Sequence, residues 1–447
     1  MAFIGGLGLR LGAGRKVEVS HRGGLRMAVE EDVSKRARRR EIVTGKKFNR
    51  KGFRDESEEV GNMLNSEFTS DLLKEIRALE HTYERDGVTI RLAKAYGFCW
   101  GVERAVAIAY ETRSHFPTQK IWLTNEIIHN PMVNNRLADM GVFFIPQENM
   151  KKDFSEVQGD DVVVLPAFGA TLEEMQYLKD LGCQVVDTTC PWVSKVWTAL
   201  DKHTQRACTS IIHGKWKHEE TIATSSFAEK YLIVLNMKEA EYVSNYILNG
   251  GDKEEFRAKF KNAMSDGFDP DVDLKSVGVA NQTTMLKSET EEMAKYFEKT
   301  MMKKYGPQNL NDHYVAFNTI CDATQERQDA MIELMDEELD MVLVVGGFNS
   351  SNTSHLQELA EHGGFTSYWV NEPTCIGPDN IIRYKTSDGE DHVKEDFIPS
   401  RPFRIGVTSG ASTPDSVVQD CLERIFMIRK LRGDAAEPAA VALDART

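Results

Sequence analysis

No run of eighteen apolar residues occurs in this 447-residue chain, so a membrane-spanning helix is not expected. No C-x-x-C pair occurs either, which argues against a zinc ribbon. Neither a Walker A loop nor a G-x-G-x-x-G turn is present, and a nucleotide site is not indicated. Cysteine is scarce: seven residues, an odd number, scattered as Cys99, Cys183, Cys190, Cys208, Cys321, Cys375 and Cys421. That argues against a disulfide framework and for a reducing compartment. Basic charge is short as well, with 55 Lys and Arg against 69 Asp and Glu. The shortage is uneven. Residues 1–54 hold fifteen basic and five acidic side chains, so the net charge of −14 divides into +10 there and −24 in the remainder. An acidic body is a poor nucleic-acid binder. What is left, 41% hydrophobic and 28% charged, is ordinary for a soluble globular protein of about two to four domains.

What is present is organised around Gln184–His203, QVVDTTCPWVSKVWTALDKH. Val185 and Val186 read as the end of a buried strand; Asp187, Thr188 and Thr189 are turn and capping residues. Cys190 follows, then Pro191 and a helical pattern through Trp192, Val196, Trp197 and Leu200. Proline is favoured at the first helical position, so Cys190 should sit at a helix N-terminus. Free N–H groups and the helix dipole there favour a thiolate, which a metal or an iron–sulfur cluster requires. The same sentence recurs at TIRLAKAYGFCWGVERAVAIAY around Cys99 and YVAFNTICDATQERQDAMIELM around Cys321. The separations are 91 and 131 residues.

From Val88 onward, strand, loop and helix repeat. IWLTNEIIHNPMV and VVVLPAFGATLEE follow Cys99, SIIHGKWKHEETIA and VGVANQTTMLKSET follow Cys190, and MVLVVGGFNSSNTSHL and RIGVTSGASTPDSV follow Cys321. The expectation is three similar α/β domains with parallel sheets, 88–189, 190–320 and 321–432. Ligands bind beyond the carboxyl ends of such strands, so nine loops should converge on one centre. Before the repeat come a basic extension, 1–54, and a segment 55–87 whose Leu64, Phe68, Leu72, Ile76 and Leu79 predict helix. Residues 1–27, with five Arg or Lys against one acid, resemble an organelle transit peptide, the alternative being a disordered tail. KRARRR at 35–40 has the composition of a nucleic-acid or nuclear-import patch, set beside acidic Glu30, Glu31 and Asp32. Residues 236–273 read as a polar insertion in the second domain, 377–402 as a loop with a peripheral hairpin, and 433–447 as a disordered tail.

Three cysteines without a fourth suggest a cluster with one iron lacking a protein ligand, since four-iron clusters usually take four Cys. An open position would admit a substrate oxygen. The other four cysteines read as buried structural thiols. The loops Asn349-Ser350-Ser351-Asn352 and Gly410-Ala411-Ser412-Thr413-Pro414, and His129 before Asn130-Pro131, open helices and suit an anionic, oxygen-rich ligand. Each could equally be a plain N-cap. Glu220, two residues from His218, is either a proton donor with a movable pKa or a first-turn carboxylate facing the helix dipole. Thr283 and Thr284 could orient a substrate hydroxyl or cap a helix.

The stretches GFCWGVERA at Gly97–Ala105, IHNP at Ile128–Pro131, DTTCP at Asp187–Pro191, NQTT at Asn281–Thr284, ICDAT at Ile320–Thr324, NSSN at Asn349–Asn352 and GASTPD at Gly410–Asp415 resemble the 4-hydroxy-3-methylbut-2-enyl diphosphate reductase family. The resemblance covers about Val88 to Arg432, with all motifs in order, and extends to Phe48–Phe53, a feature of the plastid and cyanobacterial branch. It implies a pseudo-threefold trefoil around one 4Fe–4S cluster held by Cys99, Cys190 and Cys321. It implies a two-electron reductive dehydration giving isopentenyl and dimethylallyl diphosphate, the last step of the non-mevalonate isoprenoid pathway. By motif position, His129, His218, Ser350, Ser351, Asn352 and Ser412 would hold the diphosphate, Thr283 the 4-hydroxyl, and Glu220 would feed protons. Many bacterial members carry His where Phe168 stands, so one diphosphate contact is absent or replaced here. A plastid location, a ferredoxin donor and a homodimer go with this reading; nucleic acid and membrane do not. The rivals are a non-redox iron–sulfur hydro-lyase, and a non-catalytic cluster-bearing sensor or RNA-binding protein.

Overall fold

The computed structural model describes residues 34–433. The proposed transit peptide and all of the C-terminal tail beyond Gly433 lie outside them. Three sheets carry the architecture. In the first, Phe48–Asn49, Gln184–Asp187, Val162–Leu165, Ile121–Leu123 and Val142–Phe144 lie side by side and parallel. In the second, the order is Tyr231–Val234, Thr209–His213, Val277–Asn281, Tyr314–Ala316, again parallel. The third has seven strands. Its parallel centre is Ser367–Val370, Met341–Val345, Phe403–Ser409 and Val88–Leu92. Antiparallel strands close both of its edges: Ile381–Lys385 with Asp391–Glu395 on one side, Thr82–Arg85 on the other. The inner strands VVVL, SIIH and MVLVV are buried along their length, as strands covered by helices on both faces must be. The trefoil of α/β domains is therefore the observed fold.

The pairing corrects one boundary. Val88–Leu92 was expected to open the first domain, yet it pairs with Phe403–Ser409 in the third sheet. The helix after it, Trp100–His115, buries Ala105, Val106, Ile108 and Ala109 against Ile121 and Leu123 of the first domain. The same crossing occurs at the other two cysteines. Gln184–Asp187 belongs to the first sheet, while Val196 and Leu200 of the next helix, Pro191–Gln205, pack in the second core. Tyr314–Ala316 belongs to the second sheet, while Ala330, Met331 and Leu334 of helix Asp322–Met335 pack with Val342 and Val344 in the third. Each cysteine thus stands where the chain passes from one domain to the next. Sequence proximity alone assigns a strand and its following helix to one domain; the crossing is visible only in the pairing.

One further expectation changes, and two segments gain detail. Segment 55–87 is not helix throughout. Helices Ser57–Phe68 and Asp71–Ala78 give way to strand Thr82–Arg85, with Glu80 and His81 at positive φ (53° and 62°) marking the stop. The hairpin turn is Asp86-Gly87, both left-handed (φ 52° and 73°), a dipeptide that signals this turn in sequence. The KRARRR stretch forms helix Lys35–Val43, in which Ile42 is buried and Arg39 lies over Trp197 and beside Asp201. Residues 236–273 lie in the second domain, as expected, but they are not polar throughout: Val243, Ile247, Phe256, Phe260 and Phe268 are buried in its core. Their few apolar side chains fall at helical spacing under a polar surface. The hairpin expected in 377–402 is present.

Candidate functional site

One cavity receives side chains from all nine loops: Cys99, His129, Phe168, Cys190, His218, Thr283, Cys321, Ser350 and Ser412 all line it. It offers about 110 Å³ to the centres of water-sized molecules. Every site residue expected from sequence, including Glu220, Ser351 and Asn352, is brought to it.

The thiols occupy its floor. Cys99, Cys190 and Cys321 are each the N-cap of the helix that follows, with extended backbone and no cap hydrogen bond closed by the side chain. A Cβ on Gly101 would come within 2.5 Å of Cys190 Sγ and 4.0 Å of Cys99 Sγ, so only glycine lets the two helix starts meet. The expectation of a thiolate needs revision for the bare protein. The first-turn amides of Trp192 and Val193 do pull the Cys190 thiol down, but burial outweighs them, and with the charges of Cys99 and Cys321 nearby it is pushed up to about 12. Burial likewise raises Cys321 against the amides of Thr324 and Ala323. A bound cation reverses that balance, because metal binding drives the proton off sulfur. Among the described residues no group of three His, Cys, Asp or Glu is close enough to hold a single ion. Three thiols spaced around one cavity, with glycine clearing the space between two of them, suit a polynuclear cluster instead. The remaining cysteines, 183, 208, 375 and 421, are buried and line no part of this cavity.

The loop at Cys190 is braced by groups the sequence reading did not single out. Asp187, at the end of its strand, accepts from the Thr189 amide at 2.9 Å and is paired with Arg50 at 2.9 Å. Arg50 also donates to Ser194 Oγ, and Arg104 donates to the Arg50 carbonyl. At the Cys99 loop the buried Arg327 donates to the carbonyls of Gly97 and Ala323. Arginines that act through backbone carbonyls leave no spacing signature.

The walls are polar, and several of their atoms have no partner. His129 Nδ1 lies 2.9 Å from Glu126, and its Nε2 is buried and unpaired. Ser351 Oγ and Asn352 Nδ2 are likewise buried without partners. Asn352 is oriented by its own Oδ1, which accepts the Ala411 amide at 2.9 Å. Ser350 is a true N-cap, bonded to Thr353, and Ser412 Oγ donates to the His129 carbonyl at 3.2 Å. His218 caps its helix by accepting from the Glu220 amide; burial first, then the neighbouring His129, Lys215 and His355, holds its pKa well below the usual range. Phe168 stacks on His129, centroids 4.7 Å apart and planes at 16°. An unpaired buried donor costs free energy, and a cluster of them implies a ligand rich in oxygen.

Glu220 is 3% exposed. Its two oxygens accept from the Thr283 amide at 2.6 Å and the Thr283 hydroxyl at 2.8 Å. Burial raises its pKa to about 7 in spite of both bonds. A carboxyl poised there can hold or release a proton at neutral pH.

Comparison with known proteins follows the same lines. The LytB protein family matches residues 90–426. The 4-hydroxy-3-methylbut-2-enyl diphosphate reductase of Gloeothece citriformis is 60% identical over 394 residues, 88% of this chain and 98% of the relative. That of Picosynechococcus sp. is 58% identical over 406 residues, 91% and 99% of the two chains. A solved structure, the E-1-hydroxy-2-methyl-but-2-enyl-4-diphosphate reductase from Plasmodium falciparum, superposes with a TM-score of 0.56 at 22% identity, covering 75% of this chain and 86% of its own; it shares the fold.

Proposed function

Because the chain belongs to the LytB protein family, we propose that it is an iron–sulfur oxidoreductase that converts 4-hydroxy-3-methylbut-2-enyl diphosphate to isopentenyl and dimethylallyl diphosphate, ending the non-mevalonate isoprenoid pathway. One observation carries this beyond family membership. Three thiols with space cleared between them, and three unpaired buried polar atoms on His129, Ser351 and Asn352, face a single cavity. In this reading a redox centre and an anion site share one small volume.

Cys99, Cys190 and Cys321 would hold the cluster, a 4Fe–4S group with one iron free of protein ligands. When bound, the cluster supplies electrons and a Lewis-acid site. The diphosphate lies among His129, His218, Ser350, Ser351, Asn352 and Ser412, where the unpaired His129, Ser351 and Asn352 atoms gain partners. The Phe168 ring takes no part in hydrogen bonding; it walls the site and fixes the His129 plane by stacking. Thr283 orients the 4-hydroxyl. Glu220, held by both Thr283 bonds, delivers the proton on which the departing oxygen leaves as water. The balance is one substrate, two electrons and two protons giving one product and one water. The first proton goes to oxygen and the second to carbon at one end of the allylic system. The electron donor in this reading is a ferredoxin and the location a plastid, with residues 1–27 as its address.

The test is turnover by anaerobically reconstituted protein. With dithionite and a viologen mediator, both products should form; without reductant, none. Conversion without reductant would make the protein a hydro-lyase.

A further inference from the structure

One buried charge has no part in that chemistry. Arg327, in helix Asp322–Met335, is 4% exposed. Its side chain runs back along the helix, and the guanidinium donates to the Ala323 carbonyl at 2.8 Å, in the first turn after Cys321. The same guanidinium crosses to the neighbouring loop. There it donates to the carbonyls of Gly97 at 2.5 Å and Tyr96 at 3.4 Å, just before Cys99. One cation thus joins the loops of two of the three thiols.

No carboxylate bonds it among the described residues. All of its hydrogen bonds go to carbonyls, and its Nε is buried without a partner. A guanidinium does not give up its proton in a protein, so the charge cannot be shed. Burial works against that charge; what works for it is the charge of Cys99 and Cys321, ahead of the exposed Glu326. The place is adverse to a cation in a second way, because a helix start is the positive end of the helix dipole. A buried cation held there is costly unless something negative lies beside it. The bare thiols do not supply it, since burial raises both Cys190 and Cys321. Three thiolates around an iron–sulfur core do, and each added electron makes the group more negative. The other buried arginine, Arg429, shows the contrast. It donates to the carbonyls of Asp86 and Ser400, at the amino ends of strands Val88–Leu92 and Phe403–Ser409, the opposite end of the third sheet from the cysteine loops.

We propose that Arg327 is the resident counter-ion of the cluster held by Cys99, Cys190 and Cys321, and that its charge makes the cluster easier to reduce. The inference rests on the reductase reading and adds to it a residue that sets the reduction potential. Net charge and hydrogen bonding around the sulfurs are among the protein's means of setting that potential. In each reduction the donor loses one electron and the cluster gains it. Arg327 keeps its proton throughout and touches no reacting atom, so it acts by charge alone. Its carbonyl bonds fix where that charge sits relative to the two loops.

The test is a spectroelectrochemical titration of anaerobically reconstituted, substrate-free protein. Arg327→Gln should be harder to reduce: at a fixed applied potential its ratio of reduced to oxidised cluster should fall at least about tenfold, or about 59 mV for one electron. Arg327→Lys keeps the charge without the planar fork, and its ratio should stay within about threefold of the wild type. Arg429→Gln should leave the ratio unchanged. A wild-type ratio in Arg327→Gln overturns the proposal. So does an equal fall in the Gln and Lys variants, which would assign the effect to the fork's bracing of the loops. So does an equal fall in Arg429→Gln, which would assign it to general loosening of the fold. If Arg327→Gln takes up no iron, Arg327→Lys decides alone: a wild-type ratio supports the charge, and a tenfold fall overturns it. If the wild type itself holds no reducible cluster, the reductase reading has failed and this inference falls with it, an outcome distinct from an unmoved ratio.

Discussion

Two kinds of helix start surround the cavity. Those at Asn130, Thr171, His218 and Ser350 are closed by their own N-cap side chains, which accept from amides two or three residues on. Those at Cys99, Cys190 and Cys321 are left open, with no cap bond from sulfur. The closed starts are satisfied without any ligand, so what they offer a substrate is their unpaired side-chain atoms on His129, Ser351 and Asn352. The open starts, at domain crossings, are incomplete until something occupies the space between the sulfurs. A capping residue at a helix start is therefore weak evidence for an anion site, whereas a cysteine in the capping position that does not cap is strong evidence for a metal group.

The contrast is broken most severely at sulfur. Cys190→Ser should abolish the cluster, seen as loss of iron and of visible absorbance, and Cys99→Ser and Cys321→Ser should do the same. Serine at 183, 208, 375 or 421 should leave iron content unchanged; a brown, fully loaded Cys190→Ser protein would contradict the assignment. Next comes Glu220→Gln, which keeps shape and a hydrogen bond but cannot give up a proton. Turnover should drop by about 10²–10⁴-fold with the cluster spectrum intact. A variant within a few-fold of wild type would return Glu220 to a first-turn helix carboxylate.

Gly101→Ala sharpens the open side alone. Its Cβ would meet Cys190 Sγ at 2.5 Å, and the helix starts must part. Overpacking of this kind costs about 1–3 kcal/mol, and here it should appear as a cluster that loads incompletely and decays faster in air. Wild-type loading would mean that the two starts are not held together. On the closed side, Asn352→Ala removes an amide that bonds a charged group, a contact worth roughly 1.5–3 kcal/mol, so KM should rise with the cluster unaffected. The smallest effect is one of pH. Glu220 titrates near 4.5 when free and at about 7 in the fold. Its raised pKa gives stability that is complete below about 4.5 and is lost as pH rises through about 7. The Tm of the apoprotein should therefore fall across that window, and Glu220→Gln should flatten the slope; an identical profile would show that the carboxyl is not desolvated.

Much of this was legible in the residues. The repeated strand, turn, Cys and helix pattern predicted three α/β domains, and hydrophobic runs such as MVLVV marked their buried strands. The site residues were legible because each lies at the carboxyl end of a strand, where the topology must bring ligands. What stayed hidden was long-range. That Val88–Leu92 belongs to the third sheet is decided by pairing across more than three hundred residues, which no local pattern encodes. The roles of Arg104 and Arg327 depend on carbonyls distant in sequence, and that of Arg50 on the distant Asp187 and Ser194 side chains. The core residues of 236–273 were masked by the lysines and glutamates around them. By contrast, Asp86-Gly87 was a hairpin signal in plain view, overridden by the helical spacing before it.

The central claim is that three non-capping cysteines hold a cluster with one iron left for the substrate. It is tested most directly by Mössbauer spectroscopy of protein reconstituted with ⁵⁷Fe, before and after adding 4-hydroxy-3-methylbut-2-enyl diphosphate. The account predicts a four-iron cluster in which one iron differs from the rest and alone shifts when substrate binds. Four irons that all ignore the substrate, or iron that is not in a cluster, would contradict it.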